Sequence, residues 1–233
     1  MATANFDLLV EVARHLQPLL SEVVFLGGCT TELFVTDPGA AEVRPTLDVD
    51  VVVEITSQVE YWDFSERLRA LGFSEDIREG APRCRWLINE KQLDVMPIDE
   101  KILGYSNPWY AAAIQSAQPQ TLVADLHIQL ISAPYFIATK IVAFKGRGQG
   151  DYRMSRDLED IVSVIDGRAS IVDEIKAQED SVRTYIAAEM GGLFDTTAFR
   201  EALPGYVQPD LGSQARVPII EERIRQIAEK PRR

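Results

Sequence analysis

The sequence predicts an α+β fold, in which a strand-rich core is followed by a helical half. Short apolar runs bounded by turn residues concentrate before about residue 100, whereas helical periodicity dominates after about residue 132. This order of elements predicts a core over residues 1–130 and a helical C-terminal region over 131–233. With 233 residues, 46% of them hydrophobic, the chain can bury a core and is not of the disordered class.

The first elements are a helix, a strand and a turn. Apolar residues recur at helical spacing over 5–20, which predicts an amphipathic helix. The run VVFLGG, 23–28, is typical of a buried strand that ends at paired glycines. TTELFV then begins a short helix, with Thr30 or Thr31 as its cap. DPGA, 37–40, is a turn.

The stretch TLDVDVVVEI, 46–55, predicts a strand with carboxylates on one face. Because side chains alternate along a strand, Asp48 and Asp50 point to the face opposite Val49 and Val51. A helix over 61–71 follows, closed by Gly72.

A hairpin is expected next. CRWLI, 84–88, and QLDVMPI, 92–98, flank the turn Asn89-Glu90-Lys91, and Asp94 lies on the second arm. Residues 105–133 are less clearly patterned, although alternation over 126–130 favours another strand.

The second half is predicted as a series of helices. Their expected spans are 132–145, 155–167, 170–190 and 218–229, with the loop GRGQGDYRM at 146–154. Ser155 is the expected N-cap of the second of these helices, and Gly167 its C-terminal stop.

Charge and targeting patterns exclude several classes of protein. The net charge of −12 argues against broad binding to duplex DNA, which calls for a basic surface, but it leaves room for a local basic patch. No apolar stretch is long enough for a membrane span, and the N-terminal pattern is not that of a signal peptide. Cys29 and Cys84 are spaced neither for metal nor for redox chemistry, so we expect a cytoplasmic protein with reduced thiols and no membrane partner.

Paired carboxylates on one strand face are costly unless a cation joins them. Two like charges about 4 Å apart repel by roughly 4 kcal/mol at an effective dielectric constant near 20. Asp48, Asp50 and, from another strand, Asp94 are hard oxygen ligands of the kind that Mg²⁺ prefers. The alternative is a solvated sheet face, because the D-x-D string is common.

The glycines before this strand can admit a phosphate. Gly27 and Gly28 follow a buried strand and precede Thr30, so backbone N–H groups can approach a phosphate there. The alternative is an ordinary turn between a strand and a helix.

Together these motifs resemble the DNA polymerase β-like nucleotidyltransferase superfamily. Its pattern corresponds here to VVFLGGCTT, LDVDVVVEI and QLDVMPI. The segment SAPYFIATKIVAFKGRGQGDYRMSRDLEDIV further resembles the AbiEii-type nucleotidyltransferases, toxin components of bacterial abortive-infection and toxin–antitoxin systems. The resemblance covers residues 20–168 and implies a mixed sheet with flanking helices, followed by helices.

The resemblance also implies roles for particular residues. Asp48, Asp50 and Asp94 would bind Mg²⁺, and Asp94 would serve as metal ligand or base. The predicted triphosphate contacts are Gly27, Gly28, Thr30 and Lys140, and the downstream motif adds Asp157 to the catalytic set. Two departures concern the triphosphate loop: Cys29 follows the glycines directly, and twenty positions separate Gly28 from Asp48.

Basic residues of the helical half are the remaining candidates. Lys140 lies within an apolar helical stripe, where it needs a partner such as a phosphate or Asp157, unless its amine reaches water. Lys145 and Arg147 lie beside a glycine-rich loop and are predicted to bind the nucleotide or an RNA end; a solvated loop is the alternative.

These features predict a Mg²⁺-dependent transfer of a nucleoside monophosphate from an NTP to an acceptor hydroxyl. By the resemblance, the acceptor is RNA, such as tRNA, or a protein, and the enzyme is a toxin with a cognate antitoxin. Two alternatives stay open: a non-catalytic nucleotide-binding module of the same fold, and a nucleotidyltransferase acting on a small molecule such as an aminoglycoside. The acidic charge suits a cationic substrate at least as well as RNA.

Overall fold

The computed structural model describes residues 3–148 and 150–229. The chain divides into two compact units, Met1–Thr30 with Arg44–Ser132 and Thr31–Val43 with Ala133–Arg233. The first contains a seven-stranded mixed sheet and the second is helical, which confirms the predicted α+β class. The functional boundary at residue 130 stays a prediction. Among the described helices, none combines the length and apolar character needed to cross a bilayer.

The described elements are as follows. The helices are α1 (Ala4–His15), α2 (Thr31–Phe34), α3 (Gln58–Ala70), α4 (Glu100–Leu103), α5 (Tyr110–Gln115), α6 (Ala133–Arg147), α7 (Arg156–Gly167), α8 (Ile171–Lys176), α9 (Asp180–Asp195), α10 (Thr197–Ala202), α11 (Leu211–Gln214) and α12 (Val217–Ala228). The strands are β1 (Val23–Leu26), β2 (Asp48–Val53), β3 (Ser74–Glu75), β4 (Arg85–Ile88), β5 (Lys91–Pro97), β6 (Gln118–Val123) and β7 (Leu126–Leu130). Three short 3₁₀ turns cover Gln17–Leu19, Gly28–Thr30 and Leu203–Tyr206.

The sheet has the strand order β3-β4-β5-β2-β1-β7-β6. β2 runs parallel to β5 and β1 runs parallel to β7, while the other neighbours are antiparallel. Every residue of β1 is buried, as are Val49 and Val51 of β2. The apolar β2 predicted from its valines therefore lies near the centre of the sheet, where it is rigidly held.

The helices of the first unit differ from the prediction at their ends. The expected helix over 5–20 is too long: α1 ends at His15 and a 3₁₀ turn follows, because Pro18 lacks an N–H and its ring clashes inside a helix. α3 begins earlier than predicted, at Gln58. Ser57 and Glu60 form a capping box that fixes this start.

The β4–β5 hairpin turns more tightly than predicted. Asn89 and Glu90 alone form the turn, both with positive φ, and Lys91 already belongs to β5. Positive φ at both central residues matches the twist of paired strands, as in a type I′ turn. This turn sets the register and places Arg85 opposite Asp94.

The second unit confirms most of the predicted helices and corrects one. The Ser155 side chain caps α7 as expected, and α12 lies close to the predicted span. The single helix predicted over 170–190 is wrong, because the chain breaks into α8 and α9. Each of these helices buries its own apolar residues, and no proline or glycine between them marks the break in the sequence.

Candidate functional site

The structure brings the three predicted carboxylates to one face of the sheet. Asp50 of β2 pairs in register with Asp94 of the parallel strand β5. Asp48 lies two residues before Asp50 and therefore on the same face. Asp94 is buried, while the side chains of Asp48 and Asp94 keep 32% and 10% of their exposure, so this cluster opens to solvent on the side of Asp48.

An arginine joins two of these carboxylates. Arg85 Nε and Nη2 donate to Asp94 Oδ1 and Oδ2, each at 2.8 Å, as a bidentate pair. The same Nη2 donates to Asp48 Oδ2 at 2.9 Å. Thr46 Oγ1 donates to the other Asp48 oxygen at 2.8 Å. We call Arg85, Asp48, Asp50 and Asp94 the carboxylate–arginine cluster.

The cluster retains an acidic balance. Its three carboxylates outnumber its one guanidinium, and the hydrogen bonds from Arg85 to Asp94 raise the pKa of the arginine above its ordinary value. Arg85 is therefore permanently charged. It offsets part of the carboxylate repulsion that the sequence pattern implied.

The sequence analysis missed Arg85. The signal was present in the hairpin: a two-residue turn at Asn89-Glu90 pairs Arg85 with Asp94. The three-residue turn that we expected obscured this register. A correct turn would have predicted an arginine facing the third carboxylate.

Two carboxylate oxygens of the cluster converge on a position that could hold a divalent cation. Among the described residues, no group of three Asp, Glu, His or Cys side chains is arranged to hold a metal ion. However, Oδ2 of Asp48 and Oδ2 of Asp94 both lie within 2.9 Å of one cationic nitrogen. These two carboxylate oxygens are ligands of the kind that Mg²⁺ prefers, and they could bind it if the Arg85 guanidinium moved away from them.

The glycine turn meets the second aspartate. Gly27 has φ +80°, and a Cβ on it would lie 1.8 Å from Asp50 Oδ2. A side chain at position 27 would therefore displace the carboxylate of Asp50, besides adopting a left-handed conformation that favours glycine. Thr30 is buried, and both its N–H and its hydroxyl donate to the carbonyl of Gly27, at 3.2 and 2.9 Å. Thr30 thus closes the turn, and its predicted contact with a triphosphate stays a prediction.

A thiol and a phenol border the cluster on the side of β4. Burial, followed by the negative charge of Asp94, raises the pKa of Cys84 to about 12. Cys84 is therefore a protonated thiol near neutral pH and is neither a nucleophile nor a thiolate ligand. Burial also raises the pKa of Tyr105, which hydrogen-bonds to Cys84 and remains a hydroxyl donor.

Three of the predicted residues of the helical half belong to an ion-pair network within the second unit. Lys140 Nζ lies 2.5 Å from Asp160 Oδ2 and 3.4 Å from Asp157 Oδ1. Arg147 donates to both oxygens of Asp157, at 2.9 and 2.7 Å. Lys140, Asp157 and Asp160 are all buried. The lysine in the apolar stripe of α6 is therefore paired with carboxylates of α7. The sequence analysis had offered two partners for Lys140, a phosphate or Asp157, and the structure shows the pairing with Asp157.

The remaining basic candidate is also paired. Lys145 Nζ lies 2.6 Å from Glu189 Oε1, and its side chain is about half exposed. Roles in catalysis or nucleotide binding for Lys140, Lys145, Arg147 and Asp157 stay predictions.

A concave surface lies elsewhere on the first unit. A groove of about 620 Å³ is lined by residues at the end of β2, the start of β1 and α3, including Glu22, Glu54 and Asp63. Asp48 begins β2 and the groove lies beyond Val53, roughly 17 Å away at about 3.3 Å per residue. The groove is thus distinct from the carboxylate–arginine cluster.

The fold of the chain is similar to that of solved structures. Its mixed sheet presents aspartates on neighbouring parallel strands, beside a glycine turn. The chain is similar to the solution structure of the antibiotic-resistance factor ANT(2'')-Ia, at 16% identity and a TM-score of 0.51, over 82% of this chain and 94% of that one. A protein from H. pylori, assigned provisionally as a nucleotidyltransferase, aligns at 10% identity and a TM-score of 0.48, over 96% and 93% of the two chains. No family model and no curated protein matches the sequence.

Proposed function

We propose that this protein is a Mg²⁺-dependent nucleotidyltransferase, which moves a nucleoside monophosphate from an NTP to an acceptor hydroxyl and releases pyrophosphate. The observation that carries the proposal is the convergence of Asp48 and Asp94 on one cationic nitrogen, with Asp50 packed against the turn at Gly27. Carboxylates gathered around a cation suit a triphosphate substrate, and the adjacent glycine turn is the proposed phosphate-binding backbone.

The proposed reaction is an in-line displacement. The acceptor oxygen forms a bond to the α-phosphorus, the bond from that phosphorus to the pyrophosphate oxygen breaks, and the hydroxyl proton passes to Asp94 or to water. Mg²⁺, when bound, supplies charge neutralisation and alignment. The two hydrogen bonds from Arg85 favour the charged form of Asp94 and so make it a weaker base while they are in place.

Substitution of the aspartates tests this function. Asp48→Ala and Asp50→Ala should each reduce pyrophosphate release from NTPs at least about a thousandfold, because charge stabilisation of this kind is worth several kcal/mol. Asp125→Ala is the matched control, since Asp125 is exposed and pairs only with Arg14 among the contacts described. Unchanged turnover in both site variants would refute the mechanism.

The acceptor and the biological role are finer parts of the proposal. We infer an RNA end such as that of tRNA, or a protein hydroxyl, as acceptor, and a cytoplasmic AbiEii-type toxin with a cognate antitoxin as the role. The net charge of −12 supports instead a cationic small-molecule acceptor of the aminoglycoside kind. Incubation with labelled NTPs and total RNA plus protein separates these: label in RNA or protein supports the toxin, and label in neither supports the small molecule.

One observation favours a second candidate function, a nucleotide-binding module without catalysis. Arg85 already bridges Asp48 and Asp94, so these carboxylates have a counter-ion without any metal. Calorimetry with NTP and Mg²⁺, followed by a pyrophosphate assay, distinguishes the two functions. Binding without release would favour the module.

A further inference from the structure

The position of Arg85 suggests more than a structural ion pair. Its guanidinium contacts Asp94 through two nitrogens and Asp48 through one of them. The oxygens that it contacts are those that a cation-binding site would use. An arginine and a divalent cation cannot both occupy this place, because their charges repel and they need the same oxygen atoms.

The surroundings of Arg85 allow it to move. Its side chain retains 17% of its exposure and that of Asp48 retains 32%, so the bridge lies at the open edge of the cluster. Arginine has a long side chain with several rotatable bonds. Its planar fork binds phosphate as well as carboxylate. A triphosphate placed at the turn beside Asp50 would offer it a second anionic partner.

We propose that Arg85 competes with the divalent cation for Asp48 and Asp94 and, once displaced, binds the β- or γ-phosphate of the nucleotide. The proposal rests on the proposed function, because it assigns Arg85 as a substrate-binding residue of the same site. Arg85 thereby couples two ligands: the cation frees the guanidinium for the phosphates, and the nucleotide gives it a partner that replaces the carboxylates. Each ligand then raises the affinity of the other.

Manganese titration tests this coupling without any requirement for turnover. Mn²⁺ binding is followed by the electron paramagnetic resonance signal of the free ion, with and without α,β-methylene analogues of the four NTPs. Protein-free titrations of each analogue are subtracted, because the analogues themselves chelate Mn²⁺. The variants are Arg85→Gln and Arg85→Lys. Arg67→Gln is the matched control, because Arg67 forms a similar bidentate pair with Glu22 in the same unit, outside the carboxylate–arginine cluster.

The expected results follow from the competition. In Arg85→Gln, Mn²⁺ alone should bind about tenfold more tightly than in the wild type, since the competing charge is gone. In the wild type, an analogue should raise Mn²⁺ affinity about tenfold or more, and Arg85→Gln should lose this gain. Arg85→Lys should keep the competition but lose part of the coupling. Arg67→Gln should behave as the wild type.

Other outcomes overturn the proposal. Equal or weaker Mn²⁺ binding by Arg85→Gln would make Arg85 a structural counter-ion, and so would coupling that survives in that variant. Failure of every variant, wild type included, to bind Mn²⁺ would overturn it as well. Normal turnover with no effect of Arg85 on Mn²⁺ affinity refutes this inference and leaves the function standing. Tighter Mn²⁺ binding in Arg85→Gln, with no nucleotidyl transfer by the wild type, supports the competition and refutes the proposed function.

A second measurement follows Arg85 directly in the wild type. The side-chain Nε–H signal of Arg85 in the wild type, labelled with ¹⁵N-arginine, should shift when Mg²⁺ and an analogue are added together. Assignment uses the signal that is missing in Arg85→Lys. A signal that is insensitive to both ligands under conditions where calorimetry shows binding would overturn the displacement.

Discussion

At the scale of single residues, Gly27 shows how closely the backbone approaches a carboxylate. Asp50 Oδ2 occupies the space that a side chain at position 27 would need. The left-handed conformation of Gly27 adds a second reason for glycine. The turn is therefore specified by both its conformation and its neighbour.

A pair of glycine substitutions separates these reasons. Gly80 has nearly the same φ, +81°, but no atom lies within 4 Å of its missing Cβ. Gly80→Ala should cost about 1 kcal/mol in the free energy of unfolding, for conformation alone. Gly27→Ala should cost about 2 kcal/mol more, because Asp50 must move. It should also reduce turnover, while Gly80→Ala should not. Urea denaturation and pyrophosphate release are the measurements, and equal effects would contradict this account.

The lowered pKa of Asp157 leads us to expect that stability depends on pH. Burial acts to raise its pKa, but hydrogen bonds and charges of Arg147 and Lys140 outweigh burial, and the pKa lies below the ordinary 3.8. The unfolded chain therefore binds the proton more readily. The stabilisation is complete above about pH 5 and is lost as the pH falls through the lowered folded-state pKa.

Comparison with Asp157→Asn measures this contribution. The difference in unfolding free energy between wild type and variant should be constant from about pH 5 to 7 and should shrink towards pH 3. Chemical denaturation across this range provides the values. A difference that stays constant down to pH 3 would show that Asp157 has no lowered pKa.

At the scale of elements, the α6–α7 pair is joined by a buried lysine. Lys140 of α6 reaches Asp157 and Asp160 of α7, and all three side chains are buried. Removing one partner of such a pair leaves charges without compensation in a low-dielectric interior, which is more costly than losing the pair as a whole.

Two lysine substitutions on α6 test this difference. Lys140→Met should lower the free energy of unfolding by about 3–5 kcal/mol, because it removes the cation beside buried Asp160 and one of the two cations beside Asp157. Lys145→Met removes a lysine that is half exposed beside Glu189, and should cost no more than about 1 kcal/mol. Denaturation of both variants provides the comparison. If the two variants lost similar amounts of unfolding free energy, the burial of Lys140 would contribute nothing to the cost of removing it.

At the scale of the whole molecule, the charge of −12 bears on its ligands. A protein with this balance repels extended polyanions, and association with them should weaken at low salt, where charges are least screened. A triphosphate is a smaller anion whose charge is offset by its own cation. The cationic partner that we propose for it in the first unit is Arg85, which pairs with Asp48 and Asp94 in the carboxylate–arginine cluster.

Ligand binding should stabilise the folded chain. At nucleotide and Mg²⁺ concentrations about a hundredfold above the dissociation constant, binding adds about 2.7 kcal/mol, or roughly 5–10 °C in Tm for a chain of this size. Asp48→Asn should abolish most of the shift, and Asp125→Asn should keep it. Differential scanning calorimetry measures the shifts. An equal shift in Asp48→Asn would place the ligand elsewhere.

The sequence by itself determined the strand that carries Asp48 and Asp50, the strand that carries Asp94, the glycine turn and the helical second half. These follow from local patterns, since alternation, helical periodicity and turn residues act over a few positions. The break between α8 and α9 was missed because no proline or glycine marks it.

The tertiary structure decided which of these residues meet. Parallel pairing of β2 with β5 set Asp50 beside Asp94, and the two-residue turn at Asn89 aligned Arg85 with both Asp94 and Asp48. The packing of α6 against α7 likewise placed two carboxylates beside Lys140. Strand register and pairing join residues that are distant in the chain, so a pattern read along the chain specifies the groups available but not the contacts among them.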